Sequence, residues 1–260
     1  MSRVDGQDAT PYSATLRATG TIFAREFTAY FATPLAYVFL IIFLTLQGLF
    51  TFYLGQFYER EQADLSAFFA YHPWLYLFLI PAVAMRLWAE DRKAGTLELL
   101  LTLPLPAGSV VLGKYLAALA FTGLALVLTF PVWITVNWLG DPDNGVILTA
   151  YMGSFLMAAA YLAIGSAMSA VTRNQVVAFI LSVAVCFLFV VSGLSMVLDV
   201  FSGWAPDALV LAVANLSFLS HFDNLQRGVL GLNDIVYFLA VIALWLWITR
   251  VIVDAKREVG

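Results

Sequence analysis

Four fragments of this 260-residue chain carry side chains suited to chemistry, and each lacks something that chemistry requires. Gly108 to Lys114 fits the opening positions of a glycine-rich loop that cradles phosphates. Tyr115 stands where a Ser or Thr would hold magnesium, however, and no strand pattern precedes the run. Gly193-Leu-Ser195 has the glycine and serine of a nucleophile turn. A serine hydrolase inside a membrane also needs a histidine on a neighbouring helix. His72 instead opens the second apolar run at its outer surface, and His221 lies in a polar connection. Two separated histidines cannot supply the three or four clustered ligands of a metal site, so both are expected to be interfacial anchors. Cys186 is the single cysteine; it has no disulfide partner within the chain and is expected to be a small core residue. Catalytic, cofactor-binding and metal-binding residues are therefore expected to number none.

The concentrated charge lies elsewhere. Between Met85 and Tyr115 runs RLWAEDRKAGTLELLLTLPLPAGSVVLGK, which holds Arg86, Arg92, Lys93 and Lys114, four of the thirteen Lys and Arg residues. It also holds Glu90, Asp91 and Glu98, a Gly-Thr pair and two prolines. Apolar runs flank it on both sides, so it must project from them. A short, charged, turn-rich loop is better suited to docking a soluble partner than to chemistry in a bilayer.

The elements that position this island follow from composition. The chain is 62% hydrophobic and 12% charged, which is the membrane class. Six apolar stretches run approximately Leu35 to Leu54, Ala67 to Met85, Leu116 to Leu139, Ile147 to Val171, Val176 to Leu198 and Ile235 to Val253. A helix needs about 20 apolar residues to cross the hydrocarbon core, and each stretch reaches or approaches that length. The runs are continuous instead of alternating, so they predict helices and not barrel strands. The expected fold is an all-α membrane protein of six transmembrane helices in one membrane domain spanning 1–260.

Basic residues orient the bundle. Six crossings put both termini on one side with the loops after the second and fourth spans. Eleven Lys and Arg residues fall on that side, and only Arg60 and Arg227 on the other. Both termini and the island are thus expected to be cytoplasmic. The net charge of −4 sums a basic inner rim and an acidic outer one, and implies no nucleic-acid partner. The first 33 residues lack a short apolar core with a cleavage site, so no cleavable leader is expected.

Three connections carry further expectations. Thr15 to Thr33 places Leu16, Phe23, Phe27 and Tyr30 at helical spacing, predicting an amphipathic interfacial helix stopped by Pro34. In the outer loop 199–234, the runs Ala208 to Leu219 and Leu225 to Leu232 are too short to cross and predict re-entrant helices. Pro131 should kink the third span, and the pairs Gly113/Ala117, Ala159/Ala163, Gly165/Ser169 and Ser166/Ala170 should allow close packing inside the monomer. Spans one, three, four and five contain no Asp, Glu, Lys, Arg or His in their interiors, which weighs against an ion-coupled secondary transporter.

The run Glu90-Asp91-Arg92-Lys93-Ala94-Gly95-Thr96-Leu97-Glu98-Leu99-Leu100, with Thr102-Leu103-Pro104 and Leu112-Gly113-Lys114, resembles the cytoplasmic loop of type-2 ABC exporter permeases. Arg25-Glu26-Phe27, Pro34-Leu-Ala-Tyr37, Ala82-Val-Ala-Met85-Arg86, Asn174 to Phe179 and Phe218 to Asp223 extend the resemblance over nearly the whole chain. Together they are most similar to the gliding-motility-type (GldF-like) branch. The resemblance implies a non-catalytic subunit in the cell inner membrane, paired with a second permease or a GldG-like membrane partner. ATP and magnesium would bind separate cytoplasmic ABC ATPase subunits, and membrane lipids would surround the bundle.

It also implies that Glu90 to Leu101 is a coupling helix seated in a groove of the ATPase. Leu97, Leu100 and Leu101 would supply the apolar contact, with Glu90, Asp91, Arg92, Lys93, Thr96 and Glu98 around it and Gly95 capping a turn. Closure of the ATPases would then push the second and third spans as levers and export an unidentified lipid-linked or apolar substrate. The alternative is an ATPase-driven scaffold that transmits force to an external partner without moving a substrate; the aromatic outer loop from Phe201 to Leu232 suits either.

Overall fold

The computed structural model describes residues 11–96 and 106–257. Among them there is no strand. The helix α1 (Pro11–Phe31) is followed by α2 (Pro34–Leu49), which runs into a π-helical turn at Phe50–Leu54. Then come α3 (Ser66–Phe69), α4 (His72–Ala84) and α5 (Arg86–Ala94), a nearly continuous run. Next are α6 (Ala107–Val127), α7 (Phe130–Leu139), α8 (Asn144–Val171) and α9 (Gln175–Val191). The chain ends in α10 (Ser195–Ser202), α11 (Asp207–Ala214), α12 (Phe218–Gln226) and α13 (Leu232–Arg257). Starts follow local chemistry. Pro34 opens α2 where a missing N–H costs nothing, and Asp143 caps α8 by accepting from the Gly145 and Val146 amides at 2.8 and 3.2 Å.

Five helical runs are long and apolar enough to cross a membrane, and two bent pairs raise the total to as many as seven. Six results when α9 is counted and α10 to α12 are read as outer helices. The protein is an all-helical, multi-pass membrane protein. Outward faces of α2, α9 and α13 carry exposed Ile41, Leu188, Leu244 and Trp247, which suit lipid and would associate in water.

At the centre stands α8, buried almost throughout and packed by α4, α5, α6, α9, α12 and α13. Lipid tails are as apolar as leucine, so helices associate here by close fit and not by hydrophobic exclusion. The small residues of α8 provide that fit. A Cβ on Gly165 would lie 2.4 Å from the Ala84 Cβ, and one on Gly153 would lie 2.7 Å from the Leu225 Cβ. On α6, Gly113 meets Ile22 of α1 just as closely, at 2.7 Å. These small residues are used within the monomer.

Several boundaries differ from the sequence reading. The interfacial helix begins at Pro11, buries Ile22 against α6 and leaves Leu16 exposed. The third span starts at Ala107, nine residues early, and breaks before Phe130 with Pro131 in the first turn of α7. The fifth stops at Val191, short of Leu198: Gly193 lies against Ser217, and α10 leaves at 82°. The second short outer helix is Phe218–Gln226, not Leu225 to Leu232, because Gly228 turns the chain at φ +83°.

Both histidines are held by hydrogen bonds within the bundle. His72 is fully buried, with Nδ1 2.7 Å from the Ser154 hydroxyl, which also meets the Tyr76 hydroxyl at 2.7 Å. His221 stacks on Tyr237 and hydrogen-bonds Asp234 at 2.6 Å, tying α12 to α13.

Candidate functional site

At the end of the bundle that gathers the basic residues, α1, α5 and α6 meet around one ammonium group. Lys114 follows Gly113 on α6, whose close approach to Ile22 brings α1 within reach. Its Nζ lies 3.0 Å from Glu26 Oε1 on α1 and 2.7 Å from Asp91 Oδ2 on α5. The Lys114 side chain is only 3% exposed. Removing a charge from water costs several kcal/mol unless partners surround it. Here two carboxylates and the Trp88 ring, 5.6 Å away at its centroid, meet that need. Arg25 neutralises Glu26 further at 2.5 Å, and the Thr96 hydroxyl donates to Asp91 Oδ1 at 3.1 Å.

The join between α4 and α5 is held separately. A bend at Met85 frees amides and a carbonyl that a straight helix would pair internally. One hydroxyl, Ser169 Oγ on α8, accepts from the Trp88 and Ala89 amides at 3.1 Å each and donates to the Met85 carbonyl at 2.8 Å. The Trp88 indole donates to Ser166 Oγ at 3.0 Å. Two cations then close the far end of α8. Arg92 Nη1 donates to the Ala170 and Val171 carbonyls at 3.3 and 2.9 Å, and Lys256 Nζ donates to the same two oxygens. Unpaired carbonyls and the negative end of the helix dipole both favour that placement.

The island residues therefore divide by direction. Glu90 pairs with Arg86 one turn earlier at 2.7 Å, Asp91 turns to Lys114, and Arg92 turns to α8. Lys93, Ala94, Gly95 and Thr96 are exposed. Gly95, at φ +71°, closes α5 in the left-handed conformation that glycine adopts most easily. The expected single helix from Glu90 onward thus ends at Ala94, and its first residues belong to the extension of α4. Leu97, Glu98, Leu100 and Leu101 lie outside the described residues.

Sequence reading gave Ser166 and Ser169 only a packing role and assigned Glu26, Trp88, Lys114 and Lys256 no buried contact. One signal was present: a lysine inside Val-Val-Leu-Gly-Lys-Tyr-Leu-Ala-Ala is the kind of charge that membrane helices keep only with a partner.

No curated protein matches the chain. The family model described as ABC-2 family transporter protein matches residues 20–254, and the chain belongs to that family.

Proposed function

We propose that the chain is the membrane-spanning half of an ATP-driven exporter, worked by cytoplasmic ABC ATPases that dock on the exposed face of the island. Lys93 to Thr96 and the following Leu97, Glu98, Leu100 and Leu101 form the docking segment. Eleven basic residues against two support cytoplasmic termini and a cytoplasmic island in the cell inner membrane. The apolar run of leucines supports a seat in a groove of the ATPase, and Lys93 and Glu98 fit a charged rim.

The Lys114 ion pairs carry this reading. They join α1 and α6 to α5, and α5 continues α4 with a break only at Met85. A push on the island therefore reaches the second and third spans together. Asp91 and Arg92 brace that lever from inside, in place of contacting the ATPase. Charge-free interiors in spans one, four and five support apolar or lipid-linked cargo over a small ion. Segments quoted above support the gliding-motility-type branch, with a second permease or a GldG-like membrane partner.

The test uses Gly95→Pro, which removes the left-handed cap, and Glu98→Lys, which reverses a rim charge. Both should reduce co-purification with the ATPase and ATP hydrolysis by the assembly; unchanged association and turnover in both would refute the docking role. For orientation, cysteines placed at Asp143 and Ala94 should react with an impermeant reagent in intact cells only at the former. Labelling at Ala94 would reverse the topology.

A further inference from the structure

Beside the Lys114 pairs, two adjoining cavities of opposite character share a wall. The first, about 550 Å³, is ringed by Arg25, Glu26, Arg86, Glu90, Asp91 and Lys114. The second, about 150 Å³, lies between α2 and α4 and is walled by Val38, Ile42, Leu79, Val83 and Phe121. Tyr30 and Arg86 line both. A charged chamber set against an apolar one, at the end of a membrane bundle, matches a molecule with a charged head and a hydrocarbon tail. Leu35, Val38 and Ile42 are each more than 40% exposed while lining the apolar chamber, so its mouth opens sideways toward lipid.

Charge narrows the head group. Three cations and three carboxylates surround the polar chamber, a sum of zero. An anionic lipid is drawn to an excess of Lys and Arg, which this chamber lacks. A zwitterion finds both partners. Lys114 is committed to Glu26 and Asp91, but Arg86 spends only Nε and Nη2 on Glu90, leaving guanidinium donors for a phosphate. Glu90 is half exposed, and its carboxylate can accept further N–H donors. A primary ammonium can donate to it, whereas a quaternary one cannot and would need an aromatic cage. Tyr30 is the one aromatic residue at the polar chamber among those described. Burial pushes its phenol above the ordinary value, and the Glu26 carboxylate adds to the rise, so the hydroxyl keeps its proton.

We propose that the two neighbouring cavities bind one phosphatidylethanolamine molecule from the adjoining leaflet. Its phosphate lies on Arg86, its ammonium on Glu90, and one acyl chain enters between α2 and α4. The site rests on the membrane fold and not on the ATPase-docking role, so each can fail alone.

Native mass spectrometry of the delipidated full-length protein, titrated with phosphatidylethanolamine, phosphatidylcholine or phosphatidylglycerol of equal chain length, tests this. The expected result is a first adduct forming about tenfold more tightly with phosphatidylethanolamine than with either other lipid. Ile42→Trp, which fills the mouth from a partly exposed position, should abolish that first adduct. Glu90→Gln makes the chamber net positive and should shift the preference to phosphatidylglycerol. Equal binding of the three lipids by the wild-type protein needs no variant to interpret and would overturn the proposal. Displacement of the lipid by soluble phosphorylethanolamine would also overturn it, by assigning the chamber to a chainless ligand.

Discussion

The two ends of the molecule are built on opposite plans. At the island end one buried ammonium binds α1, α5 and α6, one hydroxyl fixes the bend at Met85, and two cations cap α8. At the other end α10 and α11 pack chiefly against each other. Among its described residues α11 buries none, and Met196 and Trp204 are 79% and 71% exposed. Directional, desolvated contacts hold helices in one relative position, because any shift strands a charge. Exposed apolar surface imposes no such geometry. The island end is thus suited to passing on a displacement, and the outer hairpin to resting in lipid or against a neighbour.

Substitutions can break this contrast, and the largest effect should come from the ammonium. Lys114→Met leaves Glu26 with Arg25 but strands Asp91, and should cost about 3 kcal/mol, at the lower end for a broken buried pair because Asp91 is partly exposed. Thermal unfolding in detergent reads this out, and adding Asp91→Asn should recover most of the loss. Next comes Gly165→Ala, whose new methyl would overlap Ala84 and cost roughly 1–3 kcal/mol. The compensating Ala84→Gly should restore the melting temperature.

How much of this was legible beforehand depended on the distance between partners. Spans, their helical type and the break near Pro131 follow from local runs of residues, and the structure places helices on all six apolar runs. The island's interior wiring does not follow. Glu26 is 88 residues from Lys114, and His72 is 82 from Ser154; no window on the sequence joins them. The second span was cut at Met85 because charge begins there, yet the helix continues to Ala94 with Asp91 and Arg92 turned onto neighbouring helices. The early end of the fifth span depended on Ser217 reaching Gly193, again a tertiary contact.

Smaller effects sharpen the same contrast. Ser169→Ala removes the hydroxyl that serves three backbone groups at the bend, and should cost about 1–3 kcal/mol. Hydrogen exchange should report it locally, as faster exchange at the Trp88 and Ala89 amides with little change in α12. Trp204→Ala, in the outer hairpin, should leave stability within about 0.5 kcal/mol of wild type, because the ring packs against little of the bundle. A loss comparable to that of Ser169→Ala would mean the hairpin is anchored after all.

The most direct measurement concerns rigidity. Spin labels at Ala24 on α1 and Lys93 on α5, both exposed, report the distance across the Lys114 pairs in the permease–ATPase assembly. The lever account predicts one narrow distance, unchanged between nucleotide-free and ATP-bound states, while the distance from Lys93 to a label at exposed Met196 on α10 changes. A nucleotide-dependent change between Ala24 and Lys93, with Lys93 to Met196 constant, would contradict it.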